Sequence, residues 1–133
     1  IQPITETGFY RNGKDRQQLM MFWADNFTSA EYVGFCDTDT LFLTYIDKFD
    51  LFEDGKPVIN GRSGPSDNEF WKKSPLYVNY TLGVLEPMRC MSYFPVIIKS
   101  SHLKDMREYI VRYHGGNRSF NNLFYDISGI FPV

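Results

Sequence analysis

Tyr32-Val33-Gly34-Phe35-Cys36 is an apolar run without polar alternation, and it stops abruptly at Asp37-Thr38-Asp39. A short run of this kind suits a strand covered on both faces of a sheet, and such coverage is the habit of parallel α/β layers. The segments around it fit the same plan. Lys14 to Asn26 spaces Leu19, Met20, Phe22 and Trp23 three and four residues apart among polar residues, which predicts a helix with one buried stripe, preceded by an irregular lead-in over residues 1 to 12. Leu41 to Ile46 is a second apolar stretch, so the acidic motif is expected between two strands. Asp54-Gly55 marks a turn before a further strand over Lys56 to Asn60.

Ser66-Asp67-Asn68-Glu69 has the form of a capping box and predicts a helix from Asp67. Ser74-Pro75 reads as the N-cap and first residue of its continuation to about Leu82. Ser92 to Lys99 is a strongly apolar strand whose Pro95 is tolerated near its start or at a sheet edge. Ser100 or Ser101 then caps a long helix with Leu103, Met106, Ile110 and Tyr113 on one face, stopped by Gly115-Gly116. A last helix over Ser119 to Ile127 ends at Gly129. Strands alternating with helices give an α/β fold, a mostly parallel sheet flanked by helices. Residues 1 to 133 have the length of a single domain, with no repeat or low-complexity linker to divide them.

Composition narrows the function. The net charge is -2 with both signs interspersed, so no basic field is available to gather nucleic acid. No apolar run approaches the roughly 20 residues of a membrane span. Cys36 and Cys90 lie in apolar stretches with no metal-ligand spacing, and buried free thiols are expected there. Asn26-Phe27-Thr28, Asn79-Tyr80-Thr81 and Asn117-Arg118-Ser119 are glycosylation triplets and point to the secretory pathway, the Golgi lumen in a eukaryote. Aromatic residues make up 17% of the chain, enough to fill a core and to line a sugar-stacking groove.

The acidic motif carries the chemistry. Two carboxylates separated by one residue share a hard cation, Mg²⁺ or Mn²⁺, and leave positions for phosphate oxygens and water. A cation there neutralises charge growing on a departing diphosphate, and ligands of open α/β sheets bind beyond the carboxyl ends of strands, where Asp37 falls. Asp-x-Asp alone recurs by chance, and a pair of solvated turn carboxylates is the plain alternative. The apolar strand in front of it gives it weight.

With that strand, the stretch Glu31-Tyr32-Val33-Gly34-Phe35-Cys36-Asp37-Thr38-Asp39-Thr40-Leu41-Phe42, following Arg16-Gln17-Gln18 and its helix, resembles the DxD region of GT-A-fold glycosyltransferases. Asp54-Gly55-Lys56-Pro57-Val58-Ile59 is similar to the next strand of those enzymes, and Met91 to Ile98 to the later strand beside the donor-sugar and acceptor pocket. The resemblance implies a nucleotide-sugar donor, a glycan or glycoconjugate acceptor, and a metal with its diphosphate at Asp37, Thr38 and Asp39, the second aspartate being the more direct ligand. It puts Arg16 or Gln17 near the nucleotide, with an ordinary solvated helix position as the alternative for Arg16.

Glu86, in the loop feeding the pocket strand, and His102, at a helix N-terminus where the dipole disfavours protonation, are the candidates for acid-base work. A solvated loop and a surface position are their respective alternatives. Trp71, Tyr93 and Phe94 are candidates to stack on acceptor sugar, against core packing for Phe94. His114 belongs with a helix C-terminus. GT-A domains open with strand and helix units that hold the base and carry a further loop after the last helix, so the resemblance also implies a fragment, incomplete at both ends. Two other readings stand beside it. A haloacid-dehalogenase-like phosphatase shares Asp37-x-Asp39 but wants Thr or Val where Leu41 stands. A non-catalytic GT-A-like carbohydrate-binding fragment needs no reaction at all.

Overall fold

The computed structural model describes residues 12–64, 72–85, 88–90 and 93–130. Helix α1, Gly13–Phe22, starts where the Asn12 side chain accepts from the Asp15 backbone N–H at 2.9 Å, a cap supplied by the last residue of the expected lead-in. A 3₁₀ turn over Ala24–Asn26 then feeds strand β1, Tyr32–Phe35. Helix α2, Lys48–Leu51, is closed by a capping box between Asp47 and Asp50. Strands β2, Phe52–Glu53, and β3, Lys56–Pro57, form a hairpin about Asp54-Gly55, both with positive φ as a tight two-residue hairpin turn requires. Helix α3, Ser74–Leu82, strand β4, Val96–Lys99, helix α4, Ser100–Tyr113, and helix α5, Phe120–Ile130, complete the order.

The chain is a mixed α/β protein, but the expected parallel sheet is not what the described residues form. Both sheets are two-stranded and antiparallel: β1 pairs with β4 in the register Tyr32↔Lys99 to Phe35↔Val96, and β2 pairs with β3. Coverage on both faces, expected for Tyr32 to Cys36, is found instead at the start of the partner strand β4, where consecutive Val96 and Ile97 are both buried. It does not fix strand direction, because a doubly covered strand is apolar whichever way its neighbour runs. β1 is only half-buried, and Gly34 lets Ile97 cross close over it: a Cβ at Gly34 would lie 3.1 Å from Ile97 Cδ1. Ser100 N donates to the Glu31 carbonyl at 2.8 Å and carries the pairing one step past the strand.

The core lies among the helices. Leu19 of α1, Ile110 of α4, and Phe120 and Leu123 of α5 are buried together, with Phe22, Trp23, Leu82, Val111 and Phe124 packed around them. Phe22 meets Phe120 edge-to-face at 5.1 Å between centroids, and Trp23 Nε1 donates to Asn121 Oδ1 at 2.9 Å.

Several local expectations shift. Leu41 to Ile46 forms no strand, and Leu41, Leu43 and Tyr45 are 78–88% exposed, so the acidic motif is not wedged between strands. The strand over Lys56 to Asn60 shrinks to Lys56–Pro57. Lys73 caps α3 in place of Ser74, and α5 runs through Gly129 to Ile130. On α4 the buried face is Leu103, Arg107 and Ile110, while Met106 and Tyr113 face outward, because Arg107 finds a carboxylate and a carbonyl inside. Neither serine caps α4; Lys99 is the N-cap, and Ser100 Oγ donates to the Ala30 carbonyl at 2.6 Å. Cys36 and Cys90 are exposed, since neither lies within a covered strand. The expected capping box over Ser66 to Glu69 falls outside the described residues.

Candidate functional site

The acidic motif leaves β1 directly. Beyond Phe35, Cys36 to Asp39 stand in solvent and the chain reverses in a turn, with Thr40 N donating to the Asp37 carbonyl at 3.0 Å. A β-turn of this kind suits Asp at its first position and holds the two carboxylates on one short corner. Among the described residues neither the Asp37 nor the Asp39 side chain takes part in an ion pair or a hydrogen bond. Among the described residues no lysine or arginine is paired with either. The anticipated burial at the strand end is absent, however, because the residues after Phe35 leave the sheet.

Metal fit follows from that donor set. The described residues contain no group of three or more His, Cys, Asp or Glu placed to hold an ion. Two aspartates can supply two oxygen ligands, and a six-coordinate Mg²⁺ or Mn²⁺ would take its remaining positions from diphosphate oxygens and water. The pair therefore fits a substrate-completed site and not an all-protein cage.

The other sequence candidates scatter. Arg16 and Gln17 lie on the exposed side of α1, with buried Asp15 and Leu19 on the other. His102 is exposed in the first turn of α4, the helix that follows β4 without a loop. Phe94 is half-buried, and Tyr93 is exposed with its hydroxyl accepting from Arg62 Nε at 2.8 Å. Glu86 and Trp71 lie outside the described residues. His114 is the C-cap of α4 and its Nε2 lies 3.3 Å from the Thr81 carbonyl oxygen, which suits its expected place at a helix end.

Two arrangements escaped sequence reasoning. Arg62 and Arg89 are directly opposed in an isolated antiparallel bridge, beside Tyr93. Arg107, buried on α4, grips Asp25 and the Phe22 carbonyl and lies with its guanidinium 4.0 Å from the Trp23 ring centroid. Asp25 is held below the usual carboxylate range chiefly by the hydrogen bond from Arg107, with burial opposing. Both join residues far apart in the chain, and no local pattern announces either. A further cleft of about 190 Å³ opens between α1, α3, α4 and α5, lined by Phe22, Tyr77, Phe120 and Phe124 with Asp15 and Ser128 at polar positions.

No family model, curated protein or solved structure matches the chain.

Proposed function

We propose that the chain is the metal-binding and acceptor-side portion of a GT-A-like glycosyltransferase that moves a sugar from a nucleotide-sugar to an acceptor hydroxyl. One observation carries the reading: at the end of β1, Asp37 and Asp39 share an exposed corner with no cationic side chain paired to either among the described residues. Two adjacent carboxylates repel, and a divalent cation relieves that repulsion while exposure leaves room for a diphosphate.

In this reading Asp37 and Asp39 hold Mn²⁺ or Mg²⁺, with Asp39 the more direct ligand. The cation, when bound, stabilises negative charge on the leaving diphosphate. Arg16 or Gln17 contacts the nucleotide. Tyr93 and Phe94, with Trp71, receive the acceptor sugar, where an aromatic face matches the C–H face of a pyranose and keeps its hydroxyls free for polar contacts. Glu86 or His102 takes the acceptor proton if configuration inverts. His102 is suited to this by its place, an exposed imidazole in the first turn of the helix that follows β4.

Calorimetric titration with a nucleoside diphosphate, with and without Mn²⁺, tests the assignment. Heat should depend on the metal, and Asp39→Ala should weaken binding by about tenfold or more, about 1.4 kcal/mol. Heat that is the same in Asp39→Ala would remove the transferase site. Hydrolysis of an aryl phosphate that disappears in Asp37→Asn would instead make the first aspartate a nucleophile and the protein a phosphatase.

A further inference from the structure

Between the turn at Asp37 and helix α2 the chain carries large apolar residues that it does not bury. Leu41, Leu43 and Tyr45 are 78%, 88% and 86% exposed, whereas Phe42 is 46% exposed and Ile46 is half-buried. Phe49, on α2, adds a ring that is 77% exposed. Single apolar side chains in solvent are ordinary, but several in one short segment mark a face that another molecule covers.

The backbone of the segment is open as well. Among the described residues no hydrogen bond reaches the peptide groups of Leu41 to Ile46. Phe42, Thr44, Tyr45 and Ile46 are residue types that favour strands, although the free chain bends at Thr44. Unpaired main chain with prominent alternate side chains is what strand addition uses: the peptide groups join a partner's sheet edge, and every second side chain enters a pocket beside it.

Charge selects the occupant. Residues 37 to 54 hold Asp37, Asp39, Asp47, Asp50, Glu53 and Asp54 against Lys48 alone, a charge of -5 in a chain whose total is -2. Among the described residues none of the six carboxylates is in an ion pair, and Lys48 lies over the Phe49 ring at 5.0 Å from its centroid. Such a field repels an anionic membrane surface, and it repels the same segment of a second copy. A protein edge flanked by lysine and arginine side chains is attracted by it and can cover the apolar row.

We infer that Leu41 to Ile46 is a docking strand for another protein, one that presents an open sheet edge with cationic side chains around it. The bend at Thr44 draws out on pairing, Leu41, Leu43 and Tyr45 enter the partner, and the flanking carboxylates meet its basic rim. This face needs neither metal nor sugar and is independent of the transferase reading.

The test uses the whole chain in EDTA. A blocked peptide of alternating lysine and valine serves as the cationic strand, and one of alternating glutamate and valine as its anionic counterpart. Amide shifts and hydrogen exchange of Leu41 to Ile46 are followed by NMR as each is added. Saturable shifts are expected with the cationic peptide, weakening as salt rises, with exchange slowed at every second amide because a single neighbouring strand engages alternate residues. The anionic peptide should give none. Leu43→Ser with Tyr45→Ser, at positions the fold leaves in solvent, should weaken the cationic peptide about tenfold or more. Glu53→Gln with Asp54→Asn keeps the apolar row and should lower both the affinity and its salt dependence. No binding of the cationic peptide, equal binding of the anionic one, or undiminished affinity in the serine variant overturns the docking face, and shifts without slowed exchange overturn the added strand. Shifts of the same amides that grow with protein concentration alone would assign the face to a second copy, and shifts on phosphatidylserine vesicles would assign it to a membrane; either overturns the basic partner.

Discussion

Replacing Asp25 with alanine removes the carboxylate that faces a buried arginine, and the cost can be worked from the contacts. Arg107 is 6% exposed; its Nη1 donates to Asp25 Oδ1 at 2.6 Å and to the Phe22 carbonyl, and Nη2 donates to Asp25 Oδ2 at 2.8 Å. Losing one partner of a buried pair typically costs about 3–5 kcal/mol, because the other charge is left without compensation. Here the Phe22 carbonyl and the Trp23 ring remain, and Asp25 lies near the rim with its side chain 15% exposed, so water can reach the vacancy. The expected loss is therefore about 2–4 kcal/mol, or about 6–12 °C in Tm at this chain length.

Arg107→Met should cost less, about 1–2 kcal/mol, since the remaining carboxylate can hydrate and methionine fills part of the volume. Urea unfolding followed by circular dichroism on both single variants and the double should then give a coupling of about 2 kcal/mol. Asp25→Ala within about 0.5 kcal/mol of the native chain, or an additive double variant, would refute the view that this pair fastens α4 to the turn before β1.

Acid should act through the same pair. Because Asp25 is more acidic in the folded chain than its ordinary value of 3.8, its contribution is complete above that value and is lost as pH falls through the depressed one. The stability gap between the native chain and Asp25→Asn should accordingly close as urea midpoints are taken from pH 6 down toward about pH 2. Gly83→Ala should cost at least about 1–2 kcal/mol by thermal melting, for two reasons: Gly83 has φ +69°, and a Cβ there would lie 2.7 Å from the Tyr113 ring. Leu19→Ala should cost about 2–5 kcal/mol in urea, since Leu19 is the most completely buried large side chain among the described residues.

Sequence legibility followed the range of the interaction. The Asp54-Gly55 turn, the strand from Tyr32, the strand ending at Lys99 and the helix stopped by Gly115-Gly116 are set by neighbours within a few residues, and the structure has them. The antiparallel direction of β1 and β4 depends on how the intervening chain returns, which apolar content does not encode. Leu41 to Ile46 have strand-like composition but pair with no strand among the described residues, so propensity found no ladder there to join. Arg107 was hidden because a charged residue at a helix position reads as solvated until its distant carboxylate is known. At the acidic corner the sequence located the turn after the strand, whereas its exposure depended on what the chain does after Asp39.

The central claim is that Asp37 and Asp39 together hold a divalent cation against a diphosphate. Paramagnetic broadening by Mn²⁺, measured on backbone amides with a nucleoside diphosphate present, reads the ion's position residue by residue. The account predicts that trace Mn²⁺ selectively broadens the amides of Cys36 to Thr40, and that Asp37→Asn with Asp39→Asn abolishes the effect. Broadening centred on other acidic segments, such as Asp47 to Asp54, or unchanged in the double variant, would contradict it.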